Sequence, residues 1–207
     1  MNEKNSLDLD NCFKDLKNPI DLFREWFNEA IKKELNDPNA FVLATSSKTG
    51  TPSSRVILLK SFDDKGFVFY TNLDSQKSSE IINNLKASMC FHWKSLLRQI
   101  RITGELSKVS DKQADEYFKS REYESKIGAW ASKQSSILKS RNELNKSITS
   151  FKNKYSDKNN VPRPSNWSGW NMNVYEIEFW LNGANRIHER LKYIKKNVGW
   201  EKCLLSP

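Results

Sequence analysis

Cysteine is scarce and scattered in this chain. There are three, Cys12, Cys90 and Cys203, and no two of them form a CxxC pair. Such a set builds neither a disulfide framework nor a thiolate zinc site, and it suits a reducing, cytoplasmic compartment. Histidine is scarcer still, at His92 and His188. Two histidines argue against a histidine metal cluster, so no metal is expected, although carboxylate sites stay formally open. Long apolar runs are missing. Val56-Ile57-Leu58-Leu59 is typical, far short of the roughly 18 residues that suggest a membrane span. Met1–Asp10 is polar and partly acidic, which speaks against a secretory leader. There is no Walker loop, no GxGxxG and no GxSxG elbow, so nucleotide binding in those modes and serine hydrolysis have no support.

What the chain does have is positive charge. Its 207 residues carry 34 Lys and Arg against 25 Asp and Glu, a net charge of +9. The length fits one domain with a real core. The charge suits a phosphate-bearing partner, either a small ligand or nucleic acid, but lysine-rich helix faces and tails such as Lys139–Lys158 and Arg190–Lys202 account for much of it. A nucleic-acid binder would expose aromatics beside its basic patches. Here the aromatics follow strand and helix patterns, as core residues do, so no nucleic-acid partner is expected.

Hydrophobic periodicity divides the chain. Residues 1–18 read as an irregular, mobile segment, and residues 19–207 as one domain. Pro19–Glu34 has helical spacing, with Leu22, Phe23, Trp26, Phe27, Ala30 and Ile31 on one face. Phe41–Thr45, Ser54–Phe62 and Gly66–Thr71 read as strands of an antiparallel meander. Ser75–Leu85 reads as a helix with Ile81, Ile82 and Leu85 facing in. Ser88–Trp93 and Arg98–Val109 are two more strands. Asp111 is placed as the N-cap of a further helix, and Ser136–Tyr155 as another. Asp157–Ser168 is a proline-bearing loop. Val174–Leu181 and a last strand through Leu191–Leu204 close the chain. The class is α+β, a small, mostly antiparallel barrel or curled sheet with peripheral helices.

Four clusters could carry chemistry. In an extended chain Arg186, His188 and Arg190 share one face, a costly grouping without an anion or an electron-rich ring. A charged edge strand paired to Asp or Glu would look the same. Arg55 and Lys60 flank a buried apolar strand but have opposite parity, so they meet one ligand only along an edge or around a bulge. Tyr117 and Arg121 lie four apart on one helix face, and Ser125 follows a turn later if the helix continues. A phenol, a guanidinium and a hydroxyl suit a phosphate dianion. Gly128–Ser136, with its small and polar residues around Trp130, suggests a tight loop offering amides and hydroxyls.

Taken in order, these segments resemble the pyridoxamine 5′-phosphate oxidase family, from about Asp21 to Pro207. The most specific piece is Glu178-Phe179-Trp180 followed by Arg186-Ile187-His188-Glu189-Arg190. Arg55–Lys60, Phe69-Tyr70-Thr71-Asn72-Leu73, Arg98-Gln99, Tyr117–Arg121 and Ile127–Ser135 match in the same order. The resemblance implies an FMN-binding split β-barrel and a homodimer with FMN at the subunit interface. It implies oxidation of pyridoxamine or pyridoxine 5′-phosphate to pyridoxal 5′-phosphate, with O2 as acceptor and H2O2 as product. The FMN contacts it implies are Arg55, Val56, Ile57, Leu58, Lys60, Tyr70, Thr71, Lys77, Gln99, Gln134, Ser135, Trp180 and Arg190. The substrate contacts it implies are Lys60, Tyr117, Arg121, Ser125, Arg186 and His188, with Arg186 and His188 closest to the chemistry.

Three departures from the family pattern stand out. Gln76 precedes Lys77 where an Arg is usual, Leu204 stands where an Arg is usual, and no covering Arg and Tyr are evident before Pro19. A phenazine-pathway relative with the same fold, and a flavin or pyridoxal phosphate carrier without catalysis, are the alternative readings of the same residues.

Overall fold

The computed structural model describes residues 13–207. Helix α1 (Pro19–Lys33) comes first, then strands β1 (Ala40–Ser46), β2 (Pro52–Leu58), β3 (Ser61–Asp63) and β4 (Gly66–Asn72). Helix α2 (Gln76–Asn83) leads to β5 (Lys86–Trp93) and β6 (Arg98–Lys108). Three helices follow, α3 (Asp111–Ser120), α4 (Tyr123–Ala131) and α5 (Arg141–Lys154). The chain ends in β7 (Trp167–Leu181), β8 (Glu189–Lys195) and β9 (Trp200–Leu204).

All the pairings are antiparallel, in the order β2-β1-β5-β6-β7-β4-β3. The sheet splits at β7. One edge of β7 is covered by β6 along almost its whole length. The other edge pairs with β4 over residues 167–172 and with β8 over residues 176–181. A bulge between Thr103 and Gly104 adds curl where the second edge changes partner. The result is the curled, split antiparallel sheet with peripheral helices that the strand pattern called for.

Helix α1 starts where the sequence dictates. Asn18 Oδ1 accepts from the Ile20 amide at 3.0 Å, and Pro19 takes the first helical position, where a missing N–H costs nothing. Its inner face carries Leu22, Phe23, Trp26 and Ala30 into the curl of the sheet. Phe23 meets Phe62 and Phe67 edge-on, both at 4.8 Å between centroids, and Trp26 meets Phe179 at 5.3 Å. Burying each of these rings is worth about 2–3 kcal/mol, so α1 is held by packing more than by propensity.

Several expected boundaries move. Ile31 is 54% exposed, Ile82 63% and Leu85 40%, so only Ile81 of the α2 trio faces in. Two turns of helix bury one face, and Lys77, Ser78, Glu80 and Ile81 make it up. Ser54–Phe62 is not one strand. The chain leaves the ladder after Leu58 and re-enters at Ser61, and the Lys60 amide bonds across to the Val68 carbonyl at 2.9 Å. The N-cap of α3 is Ser110, whose Oγ accepts from the Gln113 amide, and Asp111 supplies first-turn charge. That helix stops at Ser120, and α4 takes up Tyr123–Ala131, including residues expected in a loop. Helix α5 begins only at Arg141, where Ser140 and Glu143 stand at capping-box spacing and Ser140 Oγ accepts from the Glu143 amide. The last strand is a hairpin, β8–β9, turned at Gly199 with φ +71°.

Residues 1–12 of the expected mobile segment lie outside the described residues. The remainder of it is anchored. Phe13 is fully buried against Trp26, and the Tyr193 hydroxyl donates to the Leu16 carbonyl at 2.9 Å. No helix among the described residues is long and apolar enough to cross a membrane.

Candidate functional site

Two adjoining clefts open between the β4 edge and helices α3 and α4. The first, about 490 Å³, is lined by Leu58, Lys60, Tyr117, Arg121 and Ser125 over a floor of Tyr70 and Trp167. The floor is a stack. The Tyr70 and Tyr117 rings lie 4.0 Å apart and 13° from parallel, and Tyr70 and Trp167 lie 5.3 Å apart at 6°. The Arg121 guanidinium sits 4.9 Å above the Trp167 ring. Its Nη1 is buried and has no hydrogen-bond partner. Burial lowers the pKa of Arg121, with Tyr117 opposing. Burial also raises that of the Tyr70 phenol. A Gln113 hydrogen bond opposes this rise, while Tyr117 and Glu116 add to it. A cation held over rings with one N–H unspent is a receptor for an anion.

The second cleft, about 380 Å³, shares Tyr70, Arg121, Ser125 and Trp167 with the first and continues past Ile57 to Thr71, Lys77 and Gln134. Lys77 is 8% exposed. Its Nζ donates to Thr71 Oγ1 and Gln134 Oε1, both at 3.1 Å, and to Ser75 Oγ at 3.2 Å. All three acceptors are neutral. Burial lowers the Lys77 pKa, Arg55 adds to this, and Glu80 opposes. A buried ammonium with no carboxylate bonded to it leaves its charge for a ligand. Beside it, Ser135 Oγ accepts from the Gln76 amide at 3.2 Å, at the start of α2. These donors fit a phosphate monoester such as that of FMN.

Arg55 is held from several sides. It donates to Thr45 Oγ1 and Ser53 Oγ, both at 2.5 Å, and pairs with Glu80 at 3.3 Å. Burial pushes Glu80 up, but hydrogen bonds from Ser53, Thr45, Gln76 and Arg55 outweigh it and bring the carboxyl down to about 2. Gln76 spends its side chain on Glu80 Oε1 at 2.9 Å.

A second group gathers at the far end of β7. Gln99 pairs with Trp180 across the β6–β7 ladder, and Trp180 pairs with Arg190 across β7–β8. The His188 ring lies 4.6 Å from the Trp180 ring. His188 Nδ1 accepts from the Gly183 amide at 3.3 Å, which takes up that ring nitrogen's lone pair. The chain here is not extended. Ala184–Arg186 is a 3-10 turn, with Asn185 at φ +55° and Arg186 at φ +65°. The shared face inferred by alternation therefore does not form. Arg190 alone is in a strand, and it pairs with buried Glu178 at 2.8 Å.

Residues 27–155 match the family model described as pyridoxamine 5′-phosphate oxidase, and residues 167–207 match the pyridoxine 5′-phosphate oxidase C-terminal dimerisation region. The chain belongs to the pyridoxamine 5′-phosphate oxidase family. A pyridoxine/pyridoxamine 5′-phosphate oxidase of Pelagibacter ubique (strain HTCC1062) is 64% identical over 208 residues, covering 100% of both chains. One from Bartonella henselae is 47% identical over 98% of this chain and 99% of its own. Among solved structures, PhzG from Burkholderia lata 383, in complex with tetrahydrophenazine-1-carboxylic acid, superposes with a TM-score of 0.89 at 29% identity. It covers 98% of this chain and 100% of its own.

The contacts expected from the resemblance fall in both groups of residues, and one copy of this chain keeps the groups apart. Ile57, Leu58, Lys60, Tyr70, Thr71, Lys77, Tyr117, Arg121, Ser125 and Gln134 line the two clefts. Arg55 and Ser135 border them through Glu80 and Gln76. Val56 is 66% exposed and lines neither cleft of this copy. Gln99, Trp180, Arg186, His188 and Arg190 line neither cleft. The two groups are tied to opposite ends of β7, and 15 residues at about 3.3 Å each span up to about 50 Å. Trp167 and Glu80 were missed in the sequence. Trp167 follows a proline-bearing loop and looked like part of it, and a lone Glu in a short helix carries no signal.

Proposed function

We propose that this chain oxidises pyridoxine 5′-phosphate and pyridoxamine 5′-phosphate to pyridoxal 5′-phosphate, with FMN as the bound electron acceptor and O2 as the final one. The observation that carries the proposal is the Arg121 guanidinium, buried over Trp167 with an unspent N–H and flanked by Lys60, Tyr117 and Ser125. Those four side chains grip the substrate phosphate. Lys77, Thr71, Gln134 and Ser135, with Arg55 behind them, grip the phosphate of FMN. Bound FMN supplies a two-electron acceptor that O2 regenerates, giving H2O2.

The protein's part is placement. Arg186 and His188 hold the pyridine ring. With Nδ1 taken by the Gly183 amide, neutral His188 carries its proton on Nε2 and can donate it to an acceptor on the substrate. Because the β7–β8 hairpin, whose turn carries Arg186 and His188, and the phosphate clamp sit at opposite ends of β7, a second copy brings this hairpin to the clamp, and the working unit is a homodimer. The match of residues 167–207 to a dimerisation region supports this arrangement. We place the enzyme in the cytoplasm, in keeping with unpaired Cys90 and Cys203.

The test is an anaerobic spectrum of FMN-reconstituted protein with pyridoxine 5′-phosphate added. The flavin band should bleach, then return with air as pyridoxal 5′-phosphate appears. A flavin that binds but stays oxidised with both substrates overturns the substrate assignment and turns attention to tricyclic acids of the kind bound by PhzG.

A further inference from the structure

The substrate clamp draws on several elements, and the sheet ties only the foot of α3 to β7, where the Val109 amide donates to the Gly169 carbonyl at 3.0 Å. Tyr117 lies on α3, Arg121 caps its end, Ser125 lies on α4, and Trp167 starts β7 after the loop of residues 157–166. Further along α3, Phe118 packs edge-on against Trp167 at 5.0 Å, and the ring stack and the Arg121–Trp167 contact depend on how this part of the helix is held.

Arg163 adds a further tie. Its Nε donates to Asp115 Oδ1 at 2.6 Å, its Nη2 to Asp111 Oδ1 at 3.2 Å, and its Nη1 to the Trp167 carbonyl at 2.7 Å. Asp111 and Asp115 lie four apart, on one face of α3. The Arg163 side chain is 12% exposed, whereas its two carboxylates are 72% and 61% exposed. An ordinary surface ion pair holds little. This one differs because a planar fork, mostly out of water, satisfies three acceptors on two elements at once. The loop that carries it is packed as well. Val161 is buried against Phe118, Ile127 and Trp167, and the Trp130 indole donates to the Pro162 carbonyl at 2.8 Å.

We infer that Arg163 is a positioning residue for the substrate phosphate: it touches no ligand, and sets the distance between Trp167 and the Tyr117–Arg121 face of α3. The inference rests on the proposed substrate site. Losing Arg163 should loosen the grip on the substrate phosphate and leave the Lys77 end of the flavin cleft intact, since Lys77, Thr71 and Gln134 hang on other contacts. A substrate clamp misplaced by about 1 Å loses binding and orientation by tenfold or more.

The test is Arg163→Met in the FMN-loaded dimer. KM for pyridoxine 5′-phosphate should rise about tenfold while kcat and FMN affinity stay within about twofold. Arg163→Lys, which keeps the charge but cannot reach three acceptors, should fall between Met and wild type. If Arg163→Met does not fold, Asp115→Asn removes one charge pair and spares the bond to Trp167, and should raise KM by a smaller factor. Binding of inorganic phosphate to the same holoproteins is measured in parallel and should weaken with KM. Unchanged KM and phosphate binding in a folded variant overturn the role, as does a fall in kcat and FMN affinity that tracks lost thermal stability. A wild type that binds phosphate but oxidises neither vitamer overturns the oxidase reading alone. Weaker phosphate binding in the Met variant still supports the role of Arg163 in that case.

Discussion

The Lys77 ammonium and the Gln134 amide oxygen, 57 residues apart in the chain, lie 3.1 Å from each other. This contact closes the loop after α4 over the start of α2 and centres a buried positive charge among neutral oxygens. Lys77→Met should therefore weaken FMN binding about 10- to 100-fold, the worth of one or two charge-assisted hydrogen bonds. Titration of apoprotein by quenching of flavin fluorescence measures it. An affinity within twofold of wild type would remove Lys77 from the phosphate site.

Arg121 combines a stacked plane with an unspent N–H, and lysine offers neither the fork nor the plane. Arg121→Lys should raise KM for pyridoxine 5′-phosphate at least about tenfold with a smaller effect on kcat. Steady-state kinetics at saturating FMN decides the matter.

The separation of the two residue groups along β7 gives a complementation test. One chain carries Arg121→Ala, another carries Arg186→Ala with His188→Ala, and each alone should be inactive. Mixed dimers should regain one intact site from the good clamp of one copy and the good hairpin of the other. Random mixing makes about half the dimers mixed, so about a quarter of wild-type sites should return. No recovery would mean that each site is built from a single copy.

Gly183 allows the hairpin to close. A Cβ there would stand 1.7 Å from the Ile187 carbonyl oxygen, so backbone has to move. Gly183→Ala should displace Arg186 and His188 and lower kcat/KM at least about tenfold. FMN affinity at the Lys77 end should change far less, as the same flavin titration would show.

Glu80 predicts an acid limit. Its carboxyl is held down at about 2, from an ordinary 4.5, so its stabilising contribution is fully present above pH 4.5 and disappears as pH falls toward 2. Urea midpoints between pH 5 and 2 should fall more steeply for wild type than for Glu80→Gln. Parallel curves would show that Glu80 is not the titrating group.

Much of this architecture was legible in the chain. Asn18-Pro19 and the row Leu22, Phe23, Trp26 and Ala30 declare α1, and Tyr117 and Arg121 at helical spacing do share a cleft. The misreadings came from backbone conformations that composition does not reveal. Alternation put Arg186, His188 and Arg190 on one face, but two successive left-handed residues, Asn185 and Arg186, break the alternation. Ser125 was placed by extending α3. The helix ends, and Ser125 returns to the same cleft on α4 by a different route. Ser140 and Glu143 carried a visible capping signal that marks the true start of α5. Phe13 could not be assigned to the core from sequence, because its partner Trp26 lies on an element whose orientation only the fold sets.

β7 is a ruler as much as a strand. It begins at Trp167, the ring beneath the Arg121 guanidinium, and ends at the hairpin bearing Arg186 and His188, and β6 splints it along almost its whole length. In the proposed dimer its length therefore gauges the spacing between the two catalytic centres. Removing two residues would keep every side chain on its face yet shorten the gauge by about 7 Å. Both centres would then fall out of alignment together, with no residue of either one altered.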